Sequence, residues 1–380
     1  MSKRIVIDAR YLDGTYSGIA TYSRCLIEGL ARIDQENEYY VVVRPGFREK
    51  IQTGTNFEFL TYRPKPISFQ SYFGFHEYLE EIQPDILHSL APHAPVFWNG
   101  PTVVTVHDLQ PFLDPDFSAR RARLIRAAYS LFYRWAYPAT IAKSKWVLCD
   151  SYATRDDVVE LLPGSLPRLI VVVPGLEPVP GGMPPEPRIQ AIRAKINLQG
   201  RYFLYYGSTR PNKNIPNLVK AFARACRDME GDADELKLVL VLRRDRFYRD
   251  IARAINSRKL QNRVIVIDPL AYEERQALLA GALAFVFPTK FEGFGFPPLE
   301  AMQLDVPVMG GLSGALPEVL GDAAHFVDPD NLDDIARGLR QLALDDELRQ
   351  RLIENGRRQV TRFDWDECAG KTRDIYELLF

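Results

Sequence analysis

Short apolar runs alternate with stretches of helical periodicity along almost all of this 380-residue chain, and no other feature narrows its possible folds as far. A buried strand followed by an amphipathic helix, repeated many times, is the pattern of βαβ units and a parallel sheet. The predicted strands are Ile5–Ala9, Tyr39–Val43, Asp85–His88, Thr102–Val106, Trp146–Asp150 and Leu169–Val173, then Tyr202–Tyr206, Lys237–Leu242, Val264–Ile267, Ala284–Phe287, Val306–Met309 and Ala324–Val327. Between the two series lies Pro174–Pro187, where nine of fourteen residues are Pro or Gly, the composition of a linker. A chain of this length suits two domains. The expectation is an α/β protein of two Rossmann-like domains, with parallel sheets facing across a cleft. Residues 1–176 form the first domain, 177–195 the linker and 196–362 the second domain. Residues 363–380 read as a closing helix behind an Asp-rich cap. Clefts between domains are common sites for small ligands.

Bulk properties exclude several classes. A net charge of −1 argues against a surface built for nucleic acid. No apolar run approaches the roughly 20 residues that span a bilayer. Met1-Ser2-Lys3-Arg4 passes directly into a strand, so no leader is expected. Cys25, Cys149, Cys226 and Cys368 are scattered, which fits reduced thiols in the cytoplasm better than disulfides or a metal site. Asp-x-Asp occurs at Asp114–Asp116, Asp328–Asp330 and Asp364–Asp366. All three read as turns and caps, and no metal or cofactor is expected.

Chemistry concentrates at Phe291-Glu292-Gly293-Phe294-Gly295-Phe296-Pro297-Pro298-Leu299-Glu300. The run Ala284–Phe287 leads into this glycine turn, and a helix follows it. Such a turn at a strand's carboxyl end lets a ligand approach the backbone, and the helix start offers N–H groups to an anion. Glu292 lies at the turn, where it can accept hydrogen bonds from ligand hydroxyls. Glu300, eight positions on, is expected in the helix's first turn, where it can hold a ribose diol.

Two carboxylates at this spacing resemble the E-x7-E motif of retaining nucleotide-sugar glycosyltransferases of the GT-B fold, family 4. Ala301-Met302, Leu316-Pro317-Glu318-Val319 and Gly321-Asp322-Ala323-Ala324 resemble the same family. The resemblance implies a donor site in the second domain, with Glu292, Gly293, Phe294, Gly295, Phe296 and Glu300 against the nucleotide sugar. It also implies that Lys213, six residues after Gly207, grips the donor phosphates with help from Ser208 and Arg210. Ser208 and Asn212 stand where the family often has an Arg. In the first domain, His107 of Thr105-Val106-His107-Asp108-Leu109 resembles the family's sugar-contacting histidine, and Asp108 is placed to orient it or to touch the acceptor. Gly18, in Ser17-Gly18-Ile19, is implied as the backbone approach to the diphosphate. His76, His88, His93 and His325 read as structural. The family's last helix crosses back to the first domain, and its reaction is a front-face substitution without a protein nucleophile. Ser17-Gly18-Ile19 with Val106-His107-Asp108 looks most like the mannosyltransferases of bacterial surface polysaccharide synthesis. GDP-mannose is therefore the favoured donor, with UDP- and dTDP-sugars as alternatives. The acceptor is a glycan or lipid-linked glycan.

Residues 119–145 carry seven Lys or Arg and no acid, interleaved with Tyr129, Phe132, Tyr133, Trp135 and Tyr137. The segment suits contact with an anionic membrane surface or a lipid-diphosphate acceptor, or else a solvated helix packed by its aromatics. Nucleic acid is not expected, because no recognisable module accompanies the charge. Rival functions are an epimerase or phosphorylase of the same fold, and a sensor that binds nucleotide sugar without turnover. Leu242-Arg243-Arg244 and Asp305 replace glycines common in the family, which affects loop shape and donor choice.

Overall fold

The computed structural model describes residues 2–12, 17–47, 50–110, 123–229 and 236–380, with helical residues 123–130 described by their backbone alone. The chain forms two compact units, Met1–Glu177 with Phe363–Phe380, and Pro178–Arg362.

Among the described residues, unit 1 holds seven strands: β1 (Arg4–Asp8), β2 (Glu38–Val43), β3 (Phe57–Thr61), β4 (Ile86–Ser89), β5 (Thr102–Val106), β6 (Trp146–Cys149) and β7 (Leu169–Val171). They pair in parallel in the order β3-β2-β1-β4-β5-β6-β7. Strands β4 and β5 are buried along their whole length, as expected where helices cover both sheet faces. The helices are α1 (Gly18–Ile33), α2 (Phe69–Ile82), α3 (Arg123–Lys143) and α4 (Tyr152–Leu161). Ser17, Ser68 and Ser151 start α1, α2 and α4, each accepting a hydrogen bond from a backbone N–H of the first turn.

Strand β3 was not among the predicted strands. It lies at the sheet edge with no fully buried residue, so the apolar run that marks the other strands is absent.

Unit 2 repeats the plan with β8 (Tyr202–Tyr206), β9 (Lys237–Val241), β10 (Val264–Ile267), β11 (Ala284–Phe287), β12 (Val308–Gly311) and β13 (Ala324–Val327), ordered β10-β9-β8-β11-β12-β13 and all parallel. Its helices are α5 (Glu186–Lys195), α6 (Ile215–Asp228), α7 (Tyr248–Ser257), α8 (Tyr272–Ala280), α9 (Phe296–Gln303), α10 (Leu316–Leu320), α11 (Leu332–Leu344) and α12 (Asp346–Val360). Helix α5 occupies the second half of the segment expected as linker. Glu186 in its first turn, Pro187 near its start and Arg193 and Lys195 in its last turn all favour a helix there. Strand β12 starts two residues later than predicted. Asp305 before it adopts φ +56°, a left-handed position that explains why glycine is common there, and its carboxylate pairs with Arg357 at 2.7 Å. Asp330 N–H donates to Asp328 at 2.9 Å, which closes a turn; Asp114–Asp116 lies outside the described residues.

The closing helix, α13 (Trp365–Glu377), is capped by Asp364 and belongs to unit 1. Trp365, Cys368, Ala369, Ile375 and Tyr376 are buried. Tyr376 Oη lies 2.5 Å from His88 Nδ1, and His88 Nε2 lies 2.9 Å from Thr105 Oγ1. Both ring nitrogens of this buried histidine are thus satisfied without charge. Burial, followed by the nearby His107, pushes the His88 pKa down to about 3. The unfolded ring takes up its proton near pH ~6.5. Stability from His88 is therefore complete above that value and is lost as pH falls from there toward the folded pKa. At pH 5 the expected loss is about 2 kcal/mol. Urea midpoints at pH 7 and pH 5 should drop further in the wild type than in His88→Gln; equal drops would refute the assignment.

Candidate active site

Each sheet reverses its winding once, between β1 and β4 in unit 1 and between β8 and β11 in unit 2. Ligands of open α/β sheets bind outside the carboxyl ends of the strands at such switch points. In unit 2 the two strands that flank the switch carry Lys213 and Glu292 in the loops that follow them.

Asparagines sew those two loops together. Asn214 adopts φ +60° and donates its side-chain amide to the carbonyls of Pro288 and Pro329, at 3.1 and 2.6 Å. The Asn212 amide donates to the Phe291 carbonyl at 3.1 Å, and Lys290 N–H donates to the Asn212 carbonyl at 2.8 Å. Asn212, noted in the sequence only as a departure from Arg, is thus a structural tie. Between these ties, Lys213 Nζ lies 2.5 Å from Glu292 Oε1, with the side chains only 16% and 13% exposed. The ammonium also lies 5.2 Å from the centre of the Phe287 ring. Arg210 and Ser208 stand exposed on the same loop, and the Ser208 carbonyl accepts from Tyr205 at 2.8 Å.

Gly295 opens α9 at φ +103°, and a Cβ there would lie 2.6 Å from Leu316 Cδ2, so the turn needs glycine. Because the helix begins at Phe296, Glu300 lies beyond the first turn, a correction to the sequence expectation. Pro297 suits the start of a helix, which is why α9 begins so early. Pro297 and Pro298 carry no N–H, so the donors near this helix start belong to the residues before them. Phe294 is buried against Phe296 at 4.9 Å between ring centres. Glu300 has its own partners. It accepts from Tyr206 Oη and lies 3.6 Å from Arg275, whose guanidinium covers the Tyr206 and Tyr272 rings. Burial first, then the Glu300 charge, raises the Tyr206 phenol well above its usual pKa.

Sequence reading missed the buttress under Glu292. Ala315 N–H donates to the Glu292 carbonyl at 3.0 Å. Gly314, at φ +54°, packs so closely that a Cβ would approach that carbonyl oxygen to 2.5 Å. Gly314→Ala should therefore shift the Glu292 backbone and lower turnover by about tenfold to a hundredfold, since small misplacements in a reacting geometry carry that cost. Unchanged turnover in a folded Gly314→Ala protein would show that the buttress does not matter.

In unit 1, Gly18 is the first residue of α1, whose cap Ser17 accepts from Ala20 N–H at 3.2 Å; Gly14–Tyr16 lie outside the described residues. His107 follows β5, and the β5–β6 register pairs Val106 with Cys149, which places His107 beside Asp150. His107 Nδ1 lies 2.7 Å from Asp150 Oδ2, and Nε2 lies 3.0 Å from the Leu90 carbonyl. The Tyr22 ring meets the imidazole edge-on at 4.7 Å, and Thr154 Oγ1 donates to the His107 carbonyl at 3.2 Å. Burial pushes the imidazole pKa down, but the Asp150 carboxylate outweighs it, so the net shift is upward. Asp108 instead accepts from Gln110 N–H at 2.9 Å, so the ring is gripped by Asp150.

A second cluster at the β1/β4 switch also escaped the sequence reading. Arg10, fully buried, makes a two-pronged contact with Asp8 at 2.7 and 2.5 Å, and His93 Nε2 lies 2.8 Å from Asp8 Oδ2. The guanidinium also donates to the Pro64 carbonyl at 3.1 Å and lies 4.2 Å from the Phe75 ring centre. Desolvation opposes the Asp8 charge, but Arg10 and then His93 outweigh it and hold its pKa well below the carboxylate range. His93 thus keeps the structural role expected from the sequence.

Among the described residues, no cluster of three or more His, Cys, Asp or Glu is arranged to hold a metal ion, and no helix is long and apolar enough to cross a membrane.

Comparison with known proteins places both units. Residues 16–177 match glycosyltransferase family 4, and residues 188–359 match glycosyl transferases group 1. The O-antigen chain mannosyltransferase B of Escherichia coli is 28% identical over 73% of this chain and 70% of its own length. The O-antigen chain mannosyltransferase RfbU of Salmonella typhimurium is 25% identical over 60% of this chain and 57% of its own. Sucrose-phosphate synthase of Thermosynechococcus elongatus superposes over 100% of this chain and 99% of its own at TM-score 0.76 and 19% identity. HepE of Anabaena, solved with UDP and glucose, covers 99% of both chains at TM-score 0.71 and 15% identity. At those identities the two structures speak for the fold alone. This chain is a glycosyltransferase of the GT-B fold, built from a family 4 unit and a group 1 unit.

Proposed function

We propose that the protein transfers mannose from GDP-mannose, with retention and without a metal, to a hydroxyl of a glycan or lipid-linked glycan in bacterial surface polysaccharide synthesis. The observation that carries this reading is the Lys213–Glu292 pair at the β8/β11 switch. Such a pair sets a cation for the donor phosphates beside a carboxylate for the hexose hydroxyls. The names of the O-antigen relatives support mannose, although the chain spans only 57% of the second of them.

In the proposed reaction the bond from the anomeric carbon to the diphosphate oxygen breaks as the acceptor oxygen bonds to that carbon on the same face. The acceptor proton passes to the leaving phosphate. Lys213, with Ser208 and Arg210, offsets the charge that grows on the diphosphate. Glu292 and residues 293–296 hold the sugar and Glu300 the ribose. His107 and Asp108 are the residues that unit 1 supplies to the reaction.

A panel of GDP-, UDP-, dTDP- and ADP-sugars, assayed for nucleoside-diphosphate release with lipid-linked glycan and in EDTA, tests the reading. Release from GDP-mannose alone is the expected result. Release from a UDP-sugar instead, the nucleotide bound to HepE, would replace the donor. Binding without release under every condition would favour a sensor.

A second observation favours peripheral membrane contact. Phe69, Phe97, Leu131 and Trp135 of unit 1 are 72%, 56%, 71% and 47% exposed, and Phe73 lies between Phe69, Phe97 and Trp135. Exposed Arg63, Lys65 and Arg134 supply cations in the same segments. Aromatic side chains with cations suit the interface of an anionic bilayer. Vesicles containing phosphatidylglycerol should co-sediment the protein, and Phe69→Ser/Trp135→Ser should release it. Equal sedimentation of the variant would reject this surface.

A further inference from the structure

His107 is held in a way that fixes its charge. Its two ring nitrogens face a carboxylate oxygen, Asp150 Oδ2 at 2.7 Å, and a carbonyl oxygen, Leu90 O at 3.0 Å. A carbonyl only accepts, and so does an ionised carboxylate. A neutral imidazole has one N–H and would leave one nitrogen lone pair against an acceptor, whereas an imidazolium donates to both. Asp150 gives an independent reason. It is 4% exposed, and among the described residues its Oδ1 has no hydrogen-bond partner. An ionised carboxylate so buried and so sparsely bonded is stabilised by a cation against it.

We propose that Asp150 and the Leu90 carbonyl hold His107 as a permanent imidazolium, so that Asp150 is a positioning residue and His107 supplies a fixed positive charge rather than a titrating proton. The groups facing the ring agree. Asp108 lies near enough to favour the cation. His88 opposes it electrostatically but is itself kept neutral by burial. Tyr22 meets the ring edge-on from α1, and Thr154 Oγ1 of α4 donates to the His107 backbone carbonyl. The register of β5 against β6 places Asp150 beside His107, and β4, which pairs with β5 on its other side, leads into Leu90. With both N–H groups committed, His107 has no free N–H for a sugar hydroxyl. A fixed cation also opposes the positive charge that develops on a transferring sugar ring, so the group it suits is an anion. In the transferase reading that anion is the phosphate of the donor or of a lipid-linked acceptor. This catalytic meaning rests on that reading, whereas the protonation state does not.

Two measurements separate the claims. Nitrogen-15 shifts of the full-length protein, with His107 assigned by His107→Gln, report its protonation without turnover. Both nitrogens should read as imidazolium at pH 7.5, and in Asp150→Asn the ring's proton affinity should fall by about tenfold to a thousandfold. A neutral His107 in the wild type, or equal titration in both proteins, would overturn the proposal. Turnover against pH, measured with the donor found active, reads the role. Wild-type kcat should carry no limb from His107 between pH 6 and 8, whereas Asp150→Asn should lose kcat about tenfold across that range with little change in KM. A pH-independent loss in Asp150→Asn would mean that the carboxylate serves structure alone.

Discussion

Glu292→Gln is expected to lower nucleoside-diphosphate release by about a hundredfold to a thousandfold, the scale on which one preorganised electrostatic group acts. The replacement keeps the size of the side chain, and the Glu292 backbone stays held by Ala315 and Gly314. It removes one strong acceptor and the counter-charge of Lys213, which is only 16% exposed. Lys213→Met should act through the same pair. The double variant should therefore lose much less than the product of the two single losses, as residues in direct contact do. Turnover of Glu292→Gln within tenfold of the wild type would remove this carboxylate from the chemistry.

The largest expected effect on stability lies in unit 1. Arg10→Met leaves Asp8 buried with its main charge partner gone, and breaking such a pair costs about 3–5 kcal/mol. Asp8→Asn/Arg10→Met removes both charges and should recover a large part of the loss, because desolvating the pair is itself unfavourable. Urea midpoints of the three proteins check both statements. A loss under about 1 kcal/mol in Arg10→Met would place the pair in the class of exposed ion pairs.

Local features were readable in the sequence, and long-range ones were not. The Phe291–Glu300 turn was legible because strand, glycine turn and helix follow one another directly along the chain. Apolar runs located the strands wherever both faces are covered. Strand β3 shows the boundary of that rule, since an edge strand with partly exposed residues leaves no continuous run. Asp150 escaped notice because it lies 43 residues from His107, and only the pairing of β5 with β6 brings them together. Asp8, Arg10 and His93 likewise meet only because β1 lies beside β4, which strand order determines and composition does not. Asn212 and Asn214 read as ordinary turn residues, and their role as ties depends on which loop lies opposite them.

The closing helix has a consequence for how the protein is made. Residues 363–380 complete unit 1, yet they leave the ribosome after all of unit 2. Until Tyr376 arrives, His88 has no phenol to bond, and the faces of unit 1 that Trp365 and Ile375 cover stay open to water. Unit 2 is continuous from 178 to 362 and can finish folding during synthesis, whereas the earlier-made unit matures only once residues 363–380 have followed it out. A stop codon before residue 363 would thus damage the half of the molecule that was translated first.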